Sequence, residues 1–407
     1  MARAMKDSGS DWFGEIPEGW DIAQLKRFVI VNNGREIENE IDRSDSAIPV
    51  YGSGGVFKYT DSFMYDGKSV LFGRKGTLGK PLYVDGRFWT VDTMYFLTFE
   101  DGLHPKYNYY QLSAFDWEPH ITKTALPGVV ASQIVSCRFP FPSLPEQQMI
   151  ADFLDTECAR IDAVIEQTRA SIEEYKKLKQ SVITQAVTKG IRPGRRMVNS
   201  GVDWLGQIPD EWAVFRIANL YDERNERGTD DLPILTVSIN TGISDHEIPD
   251  EEKDRVVVRS EDRTLYKRVC PGDLAYNMMR AWQGAFGAAR VDGMVSPAYV
   301  VAKPKTPGIL DSRYVEALLR TPLAIEEMHR YSRGITDFRL RLYWPYFKNI
   351  CVCVPSLKEQ IEIADYIDEK AAEIDALIQK KQQFLDEMES YKKSLIFEYV
   401  TGKKVMA

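Results

Sequence analysis

The chain repeats itself. Trp12-Phe-Gly-Glu-Ile-Pro-Glu-Gly-Trp20 returns 192 residues later as Trp204-Leu-Gly-Gln-Ile-Pro-Asp-Glu-Trp212. Pro142-Ser-Leu-Pro-Glu-Gln147 returns 213 residues later as Pro355-Ser-Leu-Lys-Glu-Gln360. The same 213 carries Ala151–Asp155 onto Ala364–Asp368, Ser181-Val-Ile183 onto Ser394-Leu-Ile396, and Val187-Thr188 onto Val400-Thr401. Four separated blocks in one register restrict the chain to two copies of one plan. The order is globular block, long helix, globular block, long helix. The offset grows from 192 to 213, so the second globular block is the longer one and the two helices match in length.

From Pro145 to Thr188 there is no Gly and no further Pro. Leu154, Ile161, Thr168, Tyr175 and Val182 recur every seven residues, with Val164 and Leu178 expected on a second seam. In the second copy Ile367, Ile374, Lys381, Met388 and Leu395 take the equivalent seam, with Leu377, Phe384 and Tyr391 between them. This is a coiled-coil heptad with charged flanks. Pro145 at a first helical position and Gly190 after the last turn are start and stop signals. About 43 residues at 1.5 Å rise make a helix of roughly 65 Å. A narrow apolar seam needs a partner, and the chain's own repeat is the nearest one. The two helices are therefore expected to pair and to hold the globular blocks apart; a helical hairpin inside one larger core is the competing arrangement.

The globular blocks read as mixed α and β. Block one offers the strand-like runs Ser69–Phe72, Pro81–Val84 and Met94–Phe99, separated by Gly-rich turns, and a helical stretch near Tyr107–Phe115. Block two offers Leu232–Ile239, Val256–Arg259, Leu274–Ala275, Ala298–Val301 and a helix from Arg313 to Tyr331. At 44% hydrophobic and 28% charged, the composition is that of a globular protein, and no apolar run is long enough for a membrane span or a signal segment. Five cysteines without paired spacing predict reduced thiols and a cytoplasmic location.

Catalytic motifs do not survive inspection. Gly73-Arg-Lys-Gly-Thr-Leu-Gly79-Lys80 has five residues between its outer glycines where a phosphate loop has four, and Pro81 follows where Ser or Thr belongs. Pro249-Asp-Glu-Glu-Lys253 lacks the spacing that would gather two carboxylates and a lysine around a metal. His104, His120, His246 and His329 show no ligand spacing, and Cys351-Val-Cys353 reads as a strand. No metal site and no catalytic residue is expected.

Basic loops carry the functional signal. Arg74, Lys75, Thr77 and Lys80 lie among Gly73, Gly76 and Gly79, with Ser53 and Lys58 in the neighbouring Gly-rich turn. Glycines let backbone approach phosphate closely, and Arg or Lys reaches guanine edges in a major groove. In block two, Asn277, Arg280 and Gln283 flank Trp282, which either packs on a sugar or fills the core. Arg333, Thr336, Arg339 and Arg341 surround a second loop. These thirteen residues are the candidate DNA contacts. Taken whole, the formal net charge of −8 argues against nucleic acid, yet it is unevenly spread. Residues 222–262 hold 13 acidic and 5 basic groups, whereas 263–348 hold 14 basic and 7 acidic.

On the paired Trp12–Trp20 and Trp204–Trp212 leaders, the two Pro-Ser-Leu-x-Glu-Gln motifs and the loops Gly73–Gly79, Pro271–Gly284 and Ser296–Tyr299, the chain resembles the specificity subunits of type I restriction–modification systems over essentially its full length. The resemblance implies an α+β chain. Two target-recognition domains, 1–142 and 191–354, each read half of a split double-stranded DNA target. The helices 143–190 and 355–407 form an antiparallel coiled coil, with an internal pseudo-two-fold repeat, that fixes the unread gap. Its helix–helix seam comprises Leu154, Ile161, Tyr175, Leu178, Val182, Ile367, Ile374, Leu377, Met388, Tyr391 and Leu395. The resemblance further implies two modification subunits carrying S-adenosylmethionine, restriction subunits using ATP and Mg2+, and no cofactor on this chain. A coiled-coil adaptor that binds proteins in a related phage-defence system is the alternative.

Overall fold

The computed structural model describes residues 3–10, 12–229, 231–239, 241–248, 265–334 and 340–405. The chain divides into two compact units, residues 1–170 with 381–407, and residues 171–380. The division falls inside both long helices, Leu144–Lys189 and Leu357–Val400. Each unit thus owns the beginning of one long helix and the end of the other. Among the described residues no helix is long and apolar enough to cross a membrane.

The first unit is built on a six-stranded sheet in the order Val29–Asn33, Met94–Phe99, Tyr65–Gly73, Leu82–Thr90, Ile48–Gly52, Gly55–Thr60. All neighbours are antiparallel except Ile48–Gly52 beside Leu82–Thr90. The central strand buries Val70, Leu71 and Phe72 in succession, because both of its faces are covered. Leu71 joins Val50, Phe88, Met94 and Phe96 in one apolar cluster. Helix Pro105–Ala114 packs against the strand, capped by His104, whose Nδ1 accepts from the Tyr107 N–H. The leader forms a hairpin, Met5–Asp7 against Glu15–Pro17, and Asp21–Gln24 pairs with Arg138–Phe141. Trp12 meets Phe397 edge-on at 5.4 Å, so this hairpin lies against the last turns of the second long helix.

The second unit repeats the plan on a smaller, four-stranded antiparallel sheet, Tyr221–Glu223, Tyr299–Pro304, Leu274–Asn277, Phe286–Ala288. Its leader hairpin pairs Met197–Asn199 with Gln207–Pro209, and Ala213–Arg216 pairs with Cys351–Val354. Tyr276, Phe286 and Phe347 stack at the centre of the core, their centroids 4.8–5.7 Å apart. The helix expected from Arg313 to Tyr331 is two helices, Ser312–Leu319 and Pro322–Tyr331. Proline cannot sit inside a helix, so Pro322 restarts one behind the cap Thr321, whose Oγ1 accepts from the Ala324 N–H. The expected strand Val256–Arg259 and the Pro249–Lys253 loop lie outside the described residues.

In each unit the long-helix segments pack antiparallel. Arg169 pairs with Glu389 at 2.8 Å and Lys392 with Asp162 at 2.6 Å in the first unit. Lys179 pairs with Asp375 at 2.6 Å in the second. Leu154, Ile161, Ile367, Ile374 and Leu395 are buried, and Tyr175, Val182 and Met388 are half-buried. Leu178, Leu377 and Tyr391 are not in the seam: they are 48%, 42% and 51% exposed, and Val164 and Phe384 are exposed as well. The second seam stands one residue further on, at Cys158, Ile165 and Ile172 and at Ile378 and Leu385. In a heptad the partner seam lies either three or four residues after the first. Apolar residues at the three-residue step suggested that choice, and the four-residue step is the one that turns inward.

Candidate nucleic-acid interface

The Gly73–Lys80 segment is the long connection between the antiparallel strands Tyr65–Gly73 and Leu82–Thr90. A strand follows it where a phosphate loop would open a helix, which agrees with its rejection as one. Its backbone is pinned from three sides. The Arg74 N–H donates to the Thr93 carbonyl at 2.8 Å, and the Arg74 carbonyl accepts from the Val129 N–H at 3.0 Å. The Thr77 N–H donates to Ser53 Oγ at 3.0 Å. Ser53 is therefore a brace, half-buried in the turn between Ile48–Gly52 and Gly55–Thr60. Gly76 has φ +83° and leaves only 2.5 Å between a Cβ and Ser53 Oγ, so a side chain there would be strained and would displace the Ser53 hydroxyl.

On this frame Arg74, Lys75, Thr77 and Lys80 are exposed, and the three cations form no ion pair among the described residues. Lys58 differs, since its Nζ lies 2.6 Å from Glu40. The local charge there is already met, and Lys58 is a weaker candidate than its sequence neighbourhood implied. One neighbour went unread in the sequence. Residues 121–129 close on themselves through Ile121 and Val129 and through Thr122, which exchanges bonds with Gly128 at 2.9 and 3.1 Å. Lys75 bridges Gly128, which brings exposed Lys123 and a 60% exposed Leu126 beside the cationic loop. Only the Pro127-Gly128 turn signal hinted at it.

In the second unit, strands Leu274–Asn277 and Phe286–Ala288 are joined by a loop that carries a 3-10 turn, Ala281–Gln283, and closes on Gly284 at φ +92°. Asn277 Oδ1 accepts from the Met279 N–H at 3.0 Å, so this oxygen shapes the turn. Tyr299, opposite Asn277 in the sheet, is pushed above the ordinary phenol range by burial and stays a neutral donor. Trp282 donates to the Met279 carbonyl at 3.0 Å and meets His329 edge-on at 5.7 Å, so it packs the loop onto helix Pro322–Tyr331. Gln283 is exposed; Arg280 is half-buried and has no carboxylate partner among the described residues.

Arg333 and Arg341 close the second loop by two backbone hydrogen bonds of 2.9 and 2.8 Å. Leu342 N–H donates to the Met278 carbonyl at 2.8 Å, which sets that loop against the first. Arg333 lies 5.1 Å over the Tyr346 ring and donates to the Arg330 and Ser332 carbonyls, so its guanidinium is partly engaged. Arg341 is exposed. Thr336 and Arg339 lie outside the described residues, as do residues 230, 240 and 249–262 of the acidic stretch. The basic excess of 263–348 narrows too, because Arg268, Lys305, Arg313, Arg320 and Arg330 all pair with carboxylates at 2.8–3.4 Å.

Residues 17–174 match the family model for the type I restriction modification DNA specificity domain. The specificity subunit of the type I restriction enzyme EcoprrI from Escherichia coli is 25% identical over 134 residues, which is 32% of this chain and 33% of that protein. The putative MjaX specificity subunit of Methanocaldococcus jannaschii is 24% identical over 242 residues, 51% of this chain and 53% of its own. The matches thus span a third and about half of the length of these two relatives. The EcoBI specificity subunit of Escherichia coli is 22% identical, covering 95% and 87%. A solved chain from a study of assembly and conformational transition in a type I R-M system superposes with a TM-score of 0.63 at 14% identity, covering 96% of this chain and 99% of that one. The HsdS subunit from Thermoanaerobacter tengcongensis does so at 0.50 and 15%, covering 96% and 98%. These two likenesses carry the fold.

Proposed function

We propose that the chain is a type I restriction–modification specificity subunit, as its partial family match and its fold suggest, and that it reads a two-part double-stranded DNA target on behalf of a modification and restriction complex. The recognition domains are residues 1–142 and 191–354, and each reads one half of the target. The long helices 143–190 and 355–407 set the unread gap. The chain supplies no catalytic group. Chemistry belongs to its partners, two modification subunits carrying S-adenosylmethionine and restriction subunits using ATP and Mg2+. One observation carries this reading: each of the two repeated units presents cationic side chains without carboxylate partners among the described residues, on loops whose backbones are pinned by hydrogen bonds. A fixed frame with free cations suits a rigid, charged ligand, since the ordering cost is met before binding.

The test is methylome sequencing of a host with and without this chain, together with a salt titration of duplex binding by the assembled complex. The expected result is a chain-dependent methylated motif in two halves with a fixed gap. Log affinity should fall with log salt at about −0.9 per phosphate contact. A flat salt profile with an unchanged methylome would instead favour a protein-binding adaptor.

A further inference from the structure

A set of buried polar contacts recurs in the two units almost atom for atom. The fully buried Tyr107 lies on helix Pro105–Ala114. Its hydroxyl donates to the Val400 carbonyl, in the last turn of a long helix, at 3.1 Å, and lies 3.4 Å from the Pro140 carbonyl. In the second unit Tyr314 lies on helix Ser312–Leu319. Its hydroxyl donates to the Val187 carbonyl at 3.1 Å and lies 3.0 Å from that of Cys353. Val187 and Cys353 are the 213-residue equivalents of Val400 and Pro140.

The Pro-Ser-Leu-x-Glu-Gln motif supplies the next contacts. Gln147 accepts from the His104 N–H at 2.8 Å and donates to the Gly102 and Pro142 carbonyls at 3.1 and 3.0 Å. Gln360 accepts from the Asp311 N–H at 2.9 Å and donates to the Ile309 and Pro355 carbonyls at 3.1 and 3.0 Å. Glu146 pairs with Arg3 at 2.7 Å, and Glu359 pairs with Arg195, an arginine 192 residues after Arg3. Lys106 pairs with Asp155 at 2.6 Å, and Arg313 pairs with the equivalent Asp368 at 3.1 Å.

The rest of the two blocks differs in sheet size, loop length and sequence, so shared ancestry of the core does not by itself explain why these atoms persist. Together the four contacts tie each globular block to the start of one long helix and the end of the other, and tie an arginine ahead of the leader hairpin to the start of that first helix. Tyr107 and Tyr314 are fully buried, and desolvation holds both hydroxyls well above the usual phenol range, so they remain donors. A buried hydroxyl has one hydrogen to donate, and these two carbonyls are the acceptors within its reach.

We propose that Tyr107, Gln147 and Lys106, with their counterparts Tyr314, Gln360 and Arg313, are positioning residues that fix the angle of each recognition domain on the helices and thereby the tolerance of the complex for gap length. The proposal rests on the two-part target reading. None of these residues touches DNA; they act through the orientation of the loops that do.

The test uses the full complex with its modification subunits on a duplex library. The two half-sites are kept constant and the gap is varied one base pair at a time, with methylation read by sequencing. Tyr107→Phe and Tyr314→Phe keep the ring and remove only the donor. Each is expected to raise methylation at gaps one base pair off by about tenfold relative to the preferred gap, the cost of one buried hydrogen bond, with base preference in both halves unchanged. Lys106→Met removes a partly exposed ion pair, so it folds even where a core variant does not, and should broaden the same profile by about threefold. Gap profiles as sharp as wild type, with or without a lower melting temperature, overturn the proposal, because the joint then only holds the fold. Altered base preference with an intact gap profile overturns it as well. A wild-type profile with no preferred gap overturns the two-part reading itself, which separates that failure from this one.

Discussion

Arg74 and Lys75 reach solvent because the residues between them and their neighbours are held by backbone bonds rather than by their own side chains. Arg74→Ala or Lys75→Ala is therefore expected to leave the fold and the assembly with modification subunits intact. Each should weaken duplex binding by about tenfold and lower the salt slope by about one. Lys58→Ala should change both by much less, since Glu40 already balances that charge. Fluorescence anisotropy at several salt concentrations reads all three, and loss of subunit assembly in the first two would place them in a protein interface. The cationic loop was legible because glycine spacing is a local signal. The brace from Ser53 to Thr77, the Glu40 partner of Lys58 and the arrival of Lys123 beside Lys75 were not. Each joins segments 18 to 48 residues apart, and nothing in a linear sequence measures that distance.

At the scale of the element, both long helices were legible and the first down to its end, whereas the second, expected over 355–407, stops at Val400. The first stops at Lys189 with Gly190 at φ +76°, the left-handed residue that terminates a helix. The seam was half legible: a seven-residue period shows itself in sequence, but the side on which the partner seam lies depends on the other helix. Ile165→Ala should cost about 2–4 kcal/mol of stability, as expected for a buried large-to-small change, whereas Val164→Ala one residue away should cost under about 1 kcal/mol. Urea unfolding of the two variants distinguishes them, and equal losses would contradict the observed seam. The motif Pro-Ser-Leu-x-Glu-Gln was visible as a repeat marker, yet its purpose was not. Its Glu and Gln find partners in the leader and in the loop ahead of the domain's helix. The partner tyrosines sit 207 residues apart, between the 192 and 213 of the recognisable blocks, where no shared string marks them.

At the scale of the whole molecule, the duplication was plain from the sequence, but the makeup of each unit was not. The blocks read off the chain as consecutive, whereas the first unit combines residues 1–170 with 381–407 and the second is the uninterrupted stretch 171–380. Deleting 381–407 should therefore strip the first unit of Phe397 against Trp12 and of the Val400 carbonyl that Tyr107 uses, while leaving the second unit's contacts in place. Hydrogen exchange followed by mass spectrometry is expected to show lost protection in the sheet strands 65–73 and 82–90 and retained protection in 274–277 and 299–304. The reverse pattern would contradict the division. The same arrangement has a consequence for biosynthesis. A ribosome makes residues 1–170 early but adds their closing segment 381–407 only after the whole of 171–380, so the first unit waits for that segment while the second can finish before it. A truncated product thus carries a complete second domain and an open first one, and a chaperone or protease meeting the nascent chain finds its exposed apolar surface at the N-terminal end.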